Sequence, residues 1–203
     1  ATVIAYERAF LQAPVIVSGK VVAYDPASGA QLLITTVVRG PFSADETITL
    51  QGSAGFSFLA KLPQAVSAFG TPLTDKVLTL WSAPSAGGLI WDAPSDLDAI
   101  ARAHAAPAVA LHSTVARERL AAAYFLVHAD GGGPGESATL NAVVSSAAWG
   151  LSQALHGTNQ ASVDIMAALG HTLEDLAIPY HPAFKPELKE QAAEQLLAWW
   201  ARR

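Results

Sequence analysis

Two hydrophobic periods divide this chain, and the change between them falls near residue 90. In the first part, apolar residues come in short β-branched runs or alternate with polar ones, as in half-buried strands. Pro14 forces an extended entry into Val15-Ile-Val-Ser-Gly-Lys-Val-Val-Ala-Tyr24, and Asp25-Pro-Ala-Ser-Gly29 makes a turn, with Pro setting φ and Gly supplying the positive-φ position. Gln31–Arg39 is the next strand and closes on Gly40-Pro41. Thr47-Ile-Thr-Leu-Gln51 alternates at period two. Further strands are expected at Phe56–Ala60, Lys76–Trp81 and Leu89–Trp91, and a short helical turn at Tyr6–Gln12.

After the Pro- and Gly-bearing stretch Ser82–Pro94 the period becomes helical. Ser95, with Asp98 three residues on, reads as the N-cap of a helix over about 96–105, which Pro107 breaks. Helices follow over about 114–128, 137–155, 161–170 and 186–202, with Gly157-Thr-Asn159 as a turn and Pro186 at a first helical position. Strands followed by helices indicate the α+β class: a small antiparallel β-barrel over residues 1–92 and an all-α domain of about five helices over 93–203. The stretch Ser113–His128 organises the second part. From Leu120 to Val127 it is apolar on every side, so it should be buried on every side, with Leu120, Tyr124 and Val127 deep in the core.

Composition narrows the function classes. Hydrophobic residues reach 51% and charged ones only 14%, against about 25% charged in an ordinary soluble protein, and alanine supplies much of the difference. A net charge of −5 argues against a nucleic-acid partner, which would call for a basic face. With no cysteine there is no disulfide, thiolate metal site or cysteine nucleophile. Residues 137–163 lack Asp, Glu, Lys and Arg except Asp164 just beyond, yet Asn141, Ser145, Ser146, Gln153, His156 and Asn159 make them too polar to span a membrane. A first residue other than Met agrees with removal of a signal peptide and an extracytoplasmic, periplasmic or secreted, location.

The residues Ala13–Val22, Thr36-Val-Val-Arg-Gly-Pro41, Thr47–Leu50 and Lys76–Leu80 resemble the OB-type barrels of the netrin-like and metalloproteinase-inhibitor-like families, found in exported bacterial proteins. The likeness covers about a third of the chain and implies a five-stranded barrel. The family's usual cysteines are absent, so inhibitor-like activity is not carried over. Ser113–Tyr124, with echoes in Ser162–Leu169 and Leu188–Leu197, is similar to helices of HEAT-type repeats, but the spacing lacks a fixed period, and a compact bundle is an equal alternative.

Candidate chemistry is sparse. Gly131-Gly-Gly-Pro-Gly-Glu-Ser137 fails as a phosphate loop, because Glu136 stands where a Lys must be and a helix precedes it. No nucleophile motif is present, so no catalytic residue and no cofactor is assigned. His104, His112, His128, His156, His171 and His181 contain no His-x3-His pair; the best candidate metal ligands are His171 and Glu174, three apart on one helix face. Trp199 and Trp200 point about 100° apart, so one should be buried and the other partly exposed as an interaction surface. The reading is a non-enzymatic binding or accessory protein with a protein partner or a second copy of itself. The alternative is an enzyme or metal-binding protein with its site in a cleft between the two parts.

Overall fold

The longest β-branched runs form the longest strands. The computed structural model describes residues 5–52, 62–81, 89–91, 94–128, 137–153, 156–172, 175 and 186–203. A short helix, α1 (Tyr6–Gln12), leads into β1 (Val15–Asp25), β2 (Gly29–Arg39), β3 (Thr47–Gln51), β4 (Gln64–Thr74), β5 (Val77–Leu80) and β6 (Leu89–Trp91). Strands β1, β2, β3, β5 and β4 hydrogen-bond in that order, and β4 returns to β1, so five strands close a barrel while β6 pairs with Val66–Ala68 of β4. β3 and β5 are parallel and the other pairs antiparallel, which makes the barrel mixed rather than purely antiparallel as the sequence suggests. Closure removes the free strand edges that an open sheet exposes.

Alternation decides what each strand buries. In β3, Ile48 and Leu50 are buried between exposed or half-buried threonines, and each contributes about 1.5–3 kcal/mol on leaving water. They join Val15, Val17, Leu32, Ile34, Val66 and Leu78 in the barrel core. On the other face of β1 and β4, register partners Ile16 and Phe69 are buried, and register partners Ser18 and Ser67 bond to each other at 2.8 Å. The β1–β2 turn behaves as its residues dictate: the Ala27 amide donates to Asp25 Oδ1 and Gly29 takes φ 100°, where a side chain would meet the Leu50 carbonyl oxygen. Arg39, at the end of β2, donates to the carbonyls of Phe10 and Ala13 and so caps α1.

Strand β4 is not visible in the hydrophobic pattern. It is built largely of small and breaking residues, Gln64-Ala-Val-Ser-Ala-Phe-Gly-Thr-Pro-Leu-Thr74, and at Gly70 the neighbouring strand passes so close that a side chain is excluded. A Cβ on Gly70 would lie 2.4 Å from the Thr79 carbonyl oxygen. The strand expected over Phe56–Ala60 lies outside the described residues.

The helices are α2 (Pro94–Ala105), α3 (Pro107–Ala110), α4 (Ala116–His128), α5 (Ser137–Ser152), α6 (His156–Ala168) and α7 (Pro186–Ala201). The chain divides into two compact units, one of residues 8–97 and one of residues 98–203 together with Ala5–Glu7. α2 starts at Pro94 rather than after Ser95, since a first-turn proline gives up only an amide that has no helical partner there. Pro107 ends α2 and also begins α3, an extra turn that takes the described count from α2 onward to six helices rather than about five. α6 starts at His156, where a turn was expected, because the Asn159 amide serves a different backbone: it donates to the carbonyls of Gly150, Leu151 and Gln153 at the end of α5.

Six consecutive residues of α4, Leu120 to Phe125, are buried, as an all-apolar helix requires, whereas Val127 is only half-buried. The central role is shared. α4 packs on α3, α5 and α6, and α5 packs on α4, α6 and α7. Small residues allow this: a Cβ on Gly150 would fall 2.1 Å from Ser162 Oγ and 3.0 Å from a Leu120 methyl. Arg117, in the first turn of α4, forms a buried ion pair with Glu7.

Candidate functional site

The aromatic end of α7 and the turn that follows α6 come together in the helical unit. That turn is set by Gly170, which takes φ 82° beyond the last turn of α6. The His171 amide then donates to the Met166 carbonyl at 2.9 Å and the Gly170 amide to Ala167 at 3.1 Å, the paired bonds of a Schellman motif. Asp175 Oδ2 accepts from the Thr172 amide at 2.8 Å and from the Thr172 hydroxyl at 3.2 Å, which fixes the turn a second time. His171 is thus held by its backbone on both sides.

Its ring lies on Trp199, centroids 4.2 Å apart and planes 18° from parallel. The side chain is only 6% exposed. Nδ1 stands 3.6 Å from Asp175 Oδ2, while Nε2 is buried and, among the described residues, without a hydrogen-bond partner. Burial pushes the His171 pKa below its usual 6.5; Asp175 opposes that shift and the Arg203 guanidinium adds to it. The Asp175 carboxyl is held below the usual carboxylate value, first by the Thr172 amide, then by the Thr172 hydroxyl, against some desolvation, with a smaller contribution from His171. At neutral pH the arrangement is therefore a neutral imidazole beside a carboxylate.

Trp200 reaches in another direction, donating its indole N–H to Asn141 Oδ1 of α5 at 2.6 Å. The Arg203 guanidinium carbon lies 4.8 Å from the Trp199 ring centre and 5.9 Å from that of Trp200, and Nη1 donates to the Leu169 carbonyl at 3.3 Å. Both tryptophans are half-buried, not one buried and one exposed. The reason is that His171 and Arg203 cover Trp199 while Asn141 tethers Trp200. Leu197, on the same helix, is exposed.

The pairing of His171 with Glu174 has no structural counterpart to describe, since Glu174 and His181 lie outside the described residues; the carboxylate beside His171 is that of Asp175. Among the described residues, no three His, Asp or Glu side chains converge as metal ligands. His104 sits edge-on to Phe125 and His128 lies against Tyr124, which gives both a packing role. The Gly131–Gly135 cluster lies outside the described residues. Sequence reading found Trp199 and Trp200 but not Asp175, Arg203 or Asn141; the one local signal was the Gly170 stop that fixes the turn. Among the described residues, no helix is long and apolar enough to cross a membrane. No protein-family model, no curated protein and no solved structure matches this chain.

Proposed function

We propose that the chain is a non-enzymatic binding or accessory protein whose helical unit offers the Trp199–Trp200 end of α7 to a protein partner. The observation that carries this reading is the half-exposed tryptophan pair with Arg203 stacked on it and Leu197 exposed nearby. Tryptophan and arginine are enriched where partners bind tightly, because the indole offers a large rigid apolar surface and the guanidinium stacks on aromatics while donating several hydrogen bonds. The barrel's strand order, with β3 parallel to β5, supports the OB-type likeness, and an extracytoplasmic location belongs to the proposal through that likeness. Burial of Leu120–Phe125 on consecutive positions favours a compact bundle over a HEAT-type array.

Photo-crosslinking from the full chain tests the interface. A crosslinker placed at Leu197 should trap a discrete protein in cells of the source organism, and Trp200→Ala should abolish the product. Val109, 75% exposed on α3, is the control for exposure alone. Equal trapping from both positions, or trapping that survives Trp199→Ala and Trp200→Ala, rules the interface out.

A further inference from the structure

We infer that His171 is a proton-operated latch on the Trp199–Trp200 surface: neutral, it holds the last turn of α7 in place, and protonated, it lets that turn go. The inference rests on the reading of that surface as an interface and concerns how it is regulated. Its structural basis is the coincidence of three features at one ring. The His171 backbone is pinned by the Schellman bonds and the Thr172–Asp175 cap, its ring covers Trp199, and its Nε2 is buried without a partner.

A neutral imidazole fits this setting. With the proton on Nδ1, facing Asp175, Nε2 keeps only a lone pair, and the ring stacks as an uncharged aromatic. Protonation changes two things. It adds an N–H at Nε2 where no acceptor stands among the described residues, and it places a second cation beside Arg203 on the same Trp199 ring. Among the described residues the charged groups facing His171 are Asp175 from the turn and Arg203 from α7; α5 carries no charged residue, and Asp164 of α6 is engaged with Gln160 and Tyr124. Asp175 gives weak compensation, because it is half-exposed and its Oδ2 already accepts two bonds from Thr172. The strain is relieved by moving the ring off Trp199 into water. Trp199 then loses its cover, and among the described residues the end of α7 keeps the Arg203–Leu169 bond at the α6 turn.

The sign follows from linkage. The folded-state pKa lies below 6.5, so the seated form has its full stability above about 6.5 and loses it as pH falls from there toward the lowered value. The surface therefore has one arrangement at neutral pH and a looser one under mild acid.

The test is a pH titration of the full chain by NMR, following the His171 ring protons, the Trp199 indole and the amide protection of Ala198–Arg203. The expected result is a His171 midpoint below the usual 6.5. In step with it, protection of the last turn of α7 should fall on the order of tenfold relative to the intrinsic exchange rate. In His171→Phe, which keeps the stack and cannot titrate, Trp199 and the α7 amides should stay constant over the same range. His171→Gln serves as a second non-titrating variant if the first misfolds. A midpoint at or above 6.5 overturns the latch, as does a pH-dependent loosening that persists in the non-titrating variants. These readouts need no partner, so a failed latch leaves the interface standing, and failed crosslinking at neutral pH leaves the latch standing.

Discussion

The barrel and the helical unit treat buried polar groups in opposite ways. In the barrel, Ser18 and Ser67 close on each other across adjacent strands, and among the described residues the other buried side chains of that unit are aliphatic or aromatic. The helical unit buries Glu7, Arg117, Asn159, His171 and Lys189, and among the described residues Glu7 Oε2, Arg117 Nη2, Asn159 Oδ1 and His171 Nε2 have no hydrogen-bond partner. Unfilled hydrogen-bonding capacity is costly in a low-dielectric interior, so it concentrates where structure is held by compromise. The barrel is thus the settled scaffold, and the helical unit is the part with states left to change.

The sharpest way to break that contrast is to put a charge where the helical unit is wholly apolar. Leu120 is fully buried against Gly150 at the crossing of α4 and α5. Leu120→Asp should cost about 5 kcal/mol or more, since it puts a carboxylate in an apolar site and Arg117, one turn earlier on α4, is already paired with Glu7. Urea unfolding followed by circular dichroism checks this, and an unchanged midpoint would show that α4 is not a core helix.

Next in size is the Glu7–Arg117 pair. Arg117→Met leaves a fully buried carboxylate without its partner and should destabilise by about 3–5 kcal/mol. Replacing both, Glu7→Leu with Arg117→Met, should bring stability back to within about 1 kcal/mol of the native chain or beyond it, because the desolvation of two ions is removed together. Comparing the two thermal melts separates a pair that stabilises from one that is merely tolerated. If the double variant is as unstable as the single one, the pair is a true strength of the unit and the contrast with the barrel weakens.

The barrel was the more legible half, and where it was not, packing explains why. β1, β2 and β3 announce themselves by β-branching and alternation, since each buries one large face. β4 does not, because a close neighbour demands Gly70, and Ala65, Ser67, Ala68 and Pro72 take positions where a strand former would ordinarily sit. The parallel β3–β5 pairing joins segments distant in sequence and leaves no local trace. In the helical unit the helices were legible by period and by Pro107 and Pro186, but the site was only half so. Trp199 and Trp200 mark themselves by residue type. That His171 would lie on Trp199, and Arg203 reach Leu169, depends on how α6 and α7 pack, which periodicity does not encode.

The barrel's polar pair gives a smaller test of the same contrast. Ser67→Ala strands the Ser18 hydroxyl in a buried site and should cost about 1–3 kcal/mol, while Ser18→Ala with Ser67→Ala should be nearly neutral. Denaturant titration of the three variants measures the coupling, and strictly additive losses would mean that the two hydroxyls do not depend on each other.

The smallest effect is the pH dependence of stability, and it tells the two units apart most directly. His171 has a lowered folded-state pKa, so the unfolded chain takes up its proton first, and stability should decline as pH falls from about 6.5 to the lowered value. Asp175 acts in a separate window: its carboxyl is lower in the folded state than the usual 3.8, so its contribution is intact above that value and lost only as pH falls further. Between pH 7 and 5 the decline should therefore belong to histidine, and His171→Phe should flatten it while Asp175→Asn leaves its onset in place and steepens it by removing the opposing charge. Melting temperatures across that range read the slope. A slope unchanged in His171→Phe would move the titrating group elsewhere and leave the unpartnered Nε2 a feature of packing alone.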